Sequence, residues 1–268
     1  MAELPALKNA ALALDARVAT LTFQRDDVRN ALTGTELTND IVATLEWANT
    51  CADVSVLIMT GEGSAFSAGG NIKNMAARAK ASPHILAQYY KYGVQRIPLA
   101  MQAVEIPVIA AVNGPAIGAG FDLANMCDLR IGSTAAQFGE TFGNLGLIPG
   151  DGGSWFLQRL VGYQRAAELT FTGRIVKAEE AKALGILLEI TEPETLLACT
   201  QEMAAKMAAK PPLALRYAKR LLRLSQQQNL AEHLDTCSSF QALCQKSDDH
   251  AEALAAFFEK RAGVFKGR

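Results

Sequence analysis

An apolar strand that runs into a turn of glycine and small residues, and from there into a helix, occurs at least twice in this chain. Val54 to Thr60 leads into Gly61 to Gly70 and a helix beginning at Asn71. Pro107 to Asn113 leads into Gly114 to Gly120 and a helix from about Phe121 to Met126. A unit of this kind buries its apolar face against its own copies, so the pattern predicts a repeated, spiral-like α/β build. A third Gly-rich turn, Gly146 to Gly153, precedes a helix around Trp155 to Leu160. Arg17 to Phe23 alternates and puts Ala19, Leu21 and Phe23 on one face of a half-buried strand. Leu37, Ile41, Leu45 and Ala48 recur at helical spacing, and Pro83 to Val104 reads as mostly helical. Leu129 to Ile131, Gln137 to Phe138 and Ile186 to Ile190 read as short strands. From Glu192 on, the pattern is helical only, over 194–210, 213–228, 229–246 and 249–261. The expectation is an α/β core over residues 1–191 and an all-helical subdomain over 192–268.

Composition narrows the chemistry. The 268 residues carry a formal charge of −1, so no basic field exists to hold a nucleic acid. No apolar run reaches the roughly 20 residues a bilayer requires. The best candidate, Ile106 to Ala124, is broken by Pro107, Asn113, Gly114, Pro115 and Asp122. The first residues include Glu3 and Asp15, without a basic stretch, and do not read as a signal peptide. Five widely spaced cysteines without a CxxC predict reduced thiols and a cytoplasmic protein. The three histidines, His84, His233 and His250, lack metal-ligand spacing, so no metal site is expected. No GxSxG is present, and neither Gly118-Ala119-Gly120 nor Gly61-Glu62-Gly63 extends to GxGxxG. Carboxylates and backbone amides remain. Phe66-Ser67-Ala68-Gly69-Gly70 and Ile117-Gly118-Ala119-Gly120 each follow a strand and precede a helix. Loops of small residues there expose N–H groups to a ligand, and the pair could supply two amides to one oxyanion. Tight turns and close helix packing would need the same residues.

These motifs also carry a resemblance. Thr22-Phe23-Gln24-Arg25, Arg29-Asn30-Ala31-Leu32 and Ala65 through Ile72 resemble the enoyl-CoA hydratase/isomerase (crotonase) superfamily. Ile109 through Gly120 continues the match, as do Met126-Cys127-Asp128, Phe138-Gly139, Gly146 through Gly150 and Phe258 through Arg261. The resemblance implies a spiral of ββα repeats with a helical trimerisation region, often assembled as paired trimers. It implies an acyl-CoA thioester substrate and no prosthetic group; coenzyme A enters as part of the substrate. Two amides, by position those of Ala68 and Ala119, would stabilise a thioester enolate. Val28, Arg29 and Ala31, with Ala68, Gly69, Gly70 and Asn71, resemble the CoA-contacting segments. Phe257 and Lys260 match positions that reach a neighbouring subunit's CoA. The basic face of Arg216, Lys219, Arg220 and Arg223 reads as exposed to solvent or to another subunit.

The acids depart from the pattern. Typical hydratases carry a first glutamate where Asp122 stands, which is shorter by one bond of about 1.5 Å. Asp122 could instead complement a helix N-terminus, which would lower its pKa, whereas burial would raise it. The second glutamate's position resembles Phe142, which cannot handle a proton. Glu140, on the same face as Phe142 if the stretch is a strand, and Asp151, catalyst or helix N-cap, are the substitutes. Asp128 reads as structural. Hydration of a 2-enoyl-CoA is the leading expectation, with Asp122 and Asp151 as catalytic acids. A one-carboxylate double-bond isomerase is the alternative. A C–C hydrolase through Asp151 would lack a histidine between Phe138 and Asp151. A non-catalytic CoA- or RNA-binding relative is the other class. A homotrimer or hexamer is expected from apolar positions in the helical tail, including Leu234, Phe240, Leu243, Leu254, Phe257 and Phe258.

Overall fold

The structure, a computed structural model, describes residues 3–72 and 75–267. Six strands form the main sheet: β1 (Ala10–Asp15), β2 (Val18–Phe23), β3 (Val56–Gly61), β4 (Val108–Val112), β6 (Leu129–Ser133) and β9 (Glu189–Thr191), in that spatial order. β1 and β2 form an antiparallel hairpin, and every later neighbour is parallel. The central strands, VLIMTG and VIAAV, are apolar almost throughout because helices or loops cover both faces. On one face Leu21, Phe23, Leu57 and Met59 pack with α1 (Leu37–Thr50), whose Leu37, Ile41, Leu45 and Ala48 are buried as their spacing predicts. On the other face Val56, Ile58, Ile109 and Ile131 meet Leu196 and Ala204 of α9 (Leu196–Ala208). The first helix beyond residue 192 thus covers the main sheet.

A second sheet holds β5 (Pro115–Ile117), β7 (Gln137–Gly139) and β8 (Ile175–Lys177). Ser67 adds a single parallel bridge to Ala116, and Ala116 in turn pairs with Phe138. Successive turns of the chain therefore give one strand to the main sheet and one position to the small sheet: β3 then Ser67, β4 then β5, β6 then β7. This is the spiral that the repeated unit implies. The Gly114 to Gly120 stretch, read as a loop, holds β5, and its helix, α5 (Ala119–Met126), starts two residues earlier than expected. The helix expected from Asn71 is described as α2 (Met75–Arg78), and residues 73 and 74 lie outside the described residues. Pro83 to Val104 divides at Gly93 into α3 (Pro83–Tyr92) and α4 (Arg96–Ala103). α6 (Gly153–Val161) follows the third Gly-rich turn. β1, β8, α7 (Tyr163–Thr172) and α8 (Ala178–Ala183) have no counterpart in the sequence reading.

Helices α10 (Pro212–Leu224), α11 (Leu230–Gln245) and α12 (Asp248–Glu259) complete the chain. Arg216, Lys219 and Arg223 of the basic face bind the protein's own body, which corrects the solvent or subunit reading for them, whereas Arg220 is exposed. Lys219 Nζ lies 2.6 Å from the Ile106 carbonyl and 2.6 Å from Asp128 Oδ2, and only 6% of the residue is exposed. Arg216 binds Glu105 at 3.1 Å, and Arg223 donates to the carbonyls of Gln102 and Val104. Arg220 stands over the Phe240 ring, which stacks on Tyr217. Phe240 is thereby partly covered within the chain, unlike Leu234, Leu254, Phe257 and Phe258, which are exposed. Asp128 also accepts from the Val108 amide, a structural role as expected.

Candidate active site

The spiral brings equivalent positions of three turns together. Past the Ser67–Ala116–Phe138 register, the chain enters Ala68-Gly69-Gly70, then Gly118-Ala119, then Glu140. The first two loops meet backbone to backbone. A Cβ on Gly69 would lie 2.8 Å from the Ala119 nitrogen, and one on Gly120 would lie 2.8 Å from the Ser67 carbonyl carbon. Real Cβ atoms do not approach so closely, so these glycines are required by packing; Gly69 also has φ +77°.

The CoA-expected segments are also joined. The Ala68 amide donates to the Arg29 carbonyl at 2.8 Å, and Leu32 donates to the Gly69 carbonyl at 2.7 Å. The Asn71 amide donates to Thr33 Oγ1, and the Gly69 amide to Ser67 Oγ. Val28 ends a short 3-10 turn, Arg29 takes a left-handed φ of 50°, and Ala31 is buried. Asn30, buried, anchors this corner through the carbonyls of Ala65 and Glu62. Its part was not singled out from sequence, although it lies inside the Arg29 to Leu32 motif.

One assignment changes. With its N–H bonded to Arg29, Ala68 is not a free donor. Among the described residues, the amides of Gly70 and Ala119 have no hydrogen-bond partner. Ala119 opens α5, where an orphan N–H is inherent to the helix start.

Three carboxyl groups converge behind this pair. Asp122 lies in the first turn of α5 and is fully buried. Its carboxyl rests on the start of α6, since a Cβ on Gly153 would lie 2.6 Å from Cγ. Asp151 precedes α6 and is 3% exposed. The helix cap is Gly152, and no side chain caps it, so the N-cap alternative for Asp151 is not realised. Glu140 is 1% exposed and opens the 3-10 turn Thr141–Leu145 just beyond β7, so it does not share a strand face with Phe142. The Phe142 ring stands beside Gly118, with ring atoms 3.6–3.9 Å from a Cβ built there. Gln95, just before α4, holds the Gly150 carbonyl at 2.7 Å, and the Tyr90 ring of α3 packs beside Gly150.

As carboxylates, these acids can only accept. Both oxygens of Asp122 and of Glu140, and Oδ1 of Asp151, then have no partner. A proton placed between Asp122 and either neighbour makes a hydrogen bond. Burial, then the charges of Glu140 and Asp151, pushes the Asp122 carboxyl well above the usual carboxylate range. The opposing pulls on Asp122 foreseen from sequence thus resolve upward. Burial pushes Glu140 up to about 7, against the hydrogen bond with Asp122. Burial likewise raises Asp151. Among the described residues, no three of His, Cys, Asp and Glu are arranged to hold a metal ion. Phe257 and Lys260 lie at the exposed end of α12, and neither makes a hydrogen bond or ion pair to this site among the described residues.

The family model described as enoyl-CoA hydratase/isomerase matches residues 14–268. The chain belongs to the enoyl-CoA hydratase/isomerase family. It is 35% identical over 258 residues to the 2,3-dehydroadipyl-CoA hydratase of Escherichia coli, covering 94% of this chain and 96% of that protein. It is 33% identical to the short-chain-enoyl-CoA hydratase of Clostridium acetobutylicum, over 95% and 96% of the two chains. The crystal structure of enoyl-CoA hydratase from Bacillus anthracis superimposes with a TM-score of 0.91 at 32% identity, over 97% of this chain and all of that one. The fold is thus the crotonase fold, and the chain is an enzyme of this family of enoyl-CoA hydratases and isomerases. Among the described residues no helix is long and apolar enough to cross a membrane.

Proposed function

We propose that the protein shifts the double bond of an enoyl-CoA, with Gly70 and Ala119 as the oxyanion donors, Asp151 as base and Asp122 as acid. The observation that carries this reading is the pairing of Asp122 with Asp151, with a phenyl ring rather than a third acid beside Gly118. Two adjoining acids with raised pKa values are suited to move protons near neutral pH. Phe142 stands where the resemblance calls for a second glutamate to orient water. In the proposed step the Asp151 carboxylate takes a proton from C2 of a 3-enoyl-CoA. The electron pair moves into a dienolate whose thioester oxygen accepts the two amides. Asp122 then delivers its proton to C4, giving the 2-enoyl-CoA. Removal of one such donor costs about 2.7–4 kcal/mol of transition-state stabilisation in enzymes of this logic.

Hydration of a 2-enoyl-CoA is the second reading, favoured by the activities named for the relatives in Escherichia coli and Clostridium acetobutylicum. Incubating the protein with 2-enoyl- and 3-enoyl-CoAs and weighing the products separates the readings. Mass-neutral interconversion is expected; a product heavier by one water would replace isomerase with hydratase. No turnover with CoA binding intact would place the protein in the non-catalytic class.

The Val28–Ala31 and Ala68–Asn71 segments are proposed to hold CoA, supported by their mutual hydrogen bonds. The assembly is proposed to be a trimer or hexamer built through α10–α12. The 77% exposure of both Phe257 and Phe258 supports this, and it would let Phe257 and Lys260 reach a neighbour's CoA. A cytoplasmic location is proposed from free cysteines with no disulfide among the described residues.

A further inference from the structure

Glu140 is buried, titratable and unused by the mechanism above. It stands where the third turn of the spiral leaves β7, in register with the Gly118 that opens α5. Its carboxyl lies within hydrogen-bond reach of the Asp122 carboxyl. Neither of its oxygens has a donor, although 99% of the residue is buried. A buried carboxyl without a partner is strongly disfavoured unless it is neutral or shares a proton.

The groups facing this cluster come from four elements. Asp122 comes from α5, Asp151 from the turn before α6, and Glu140 from the end of β7. Tyr90 of α3 faces Asp151, whose charge adds to burial in raising the phenol's pKa. No cation acts on any of the three carboxyls among the described residues. Three like charges cannot be held together in such a pocket, so protons must stay.

We propose that Glu140 is a positioning residue that acts through Asp122: it accepts the Asp122 hydrogen bond, holds the proton there, and so keeps Asp122 the acid while Asp151 serves as base. The proposal rests on the proton-transfer reading above. It also completes the cycle. Each double-bond shift leaves a proton on Asp151 and a charge on Asp122. The chain of carboxyls lets that proton pass back, with no net change in the cluster. Glu140 itself touches no substrate atom in this scheme.

The test uses the full chain with carbon-13-labelled Asp and Glu carboxyls, titrated by NMR without substrate and assigned with D122N and D151N. The wild type should show Asp122 protonated through neutral pH. In E140Q the new amide donates to Asp122 and favours its charged form. Its titration should then fall by about one unit or more, roughly tenfold in proton affinity. The alkaline limb of kcat should move down by the same amount, because the acid loses its proton earlier. E140D, which keeps the charge, should restore much of the wild-type profile. An unmoved Asp122 titration in folded E140Q would overturn the proposal. So would an Asp122 that titrates in the ordinary carboxylate range in the wild type, a result available even if E140Q does not fold. Because the titration needs no substrate, its outcome stands even if the reaction assigned to the site is wrong.

Discussion

Gly153→Ala moves Asp122 without removing it. Gly153 is the first residue of α6, and a Cβ there would lie 2.6 Å from Asp122 Cγ and 2.7 Å from Oδ2. Ordinary contact begins at 3.4 Å, so the carboxyl must retreat by about 1 Å. Alanine favours a helix over glycine by about 1 kcal/mol, so α6 itself gains from the change. Displacing a reacting group by about 1 Å costs on the order of 100-fold in rate. The expected result is a kcat lower by about that factor, with CoA affinity retained and the thermal midpoint little changed. Adding Gly153→Ala to Asp122→Asn should cause almost no further loss, since both act on the same proton. Steady-state kinetics on the preferred enoyl-CoA, paired with calorimetry, makes the measurement. A folded Gly153→Ala variant with unchanged kcat would refute the placement of Asp122 at the reacting carbons.

Gly70→Pro removes the free N–H and should lower kcat by the equivalent of about 2.7–4 kcal/mol, read by kinetics with circular dichroism as the folding control. The Glu140 carboxyl, raised from 4.5 to about 7, favours the folded state most below about pH 4.5 and loses that contribution as pH rises through about 7. Thermal midpoints should therefore fall across this window, and E140Q should flatten the fall by up to about 3 kcal/mol. Lys219→Met should destabilise the protein by about 2–4 kcal/mol in urea, because Asp128 and the Ile106 carbonyl each lose a 2.6 Å partner. Sedimentation at micromolar concentration should show a trimer or hexamer, and a stable monomer would remove the roles proposed for Phe257 and Lys260.

What sequence made legible was whatever depends on local period. Ala19, Leu21 and Phe23 alternate, and Leu37, Ile41, Leu45 and Ala48 follow one helix stripe, so β2 and α1 could be read directly. β5 could not, because three residues between Gly114 and Gly118 carry no period, and only the pairings to Ser67 and β7 make them a strand. α7 and α8 escaped because few of their residues are buried, which blurs the apolar stripe. The same division runs through the site. The small residues of both oxyanion loops announced that backbone would meet backbone, and Gly69 and Gly120 do so. Which amide stays free is a different kind of fact. The Arg29 carbonyl, delivered by a distant turn, takes the Ala68 N–H and leaves Gly70's unpartnered. Asp122 and Asp151 were recognisable as acids near an acyl site. Their contact with Glu140 depends on the pitch of the spiral, which stacks β7 beside β5. A donor's availability and an acid's proton are therefore tertiary properties, and the Gly70→Pro and E140Q experiments probe those two properties separately.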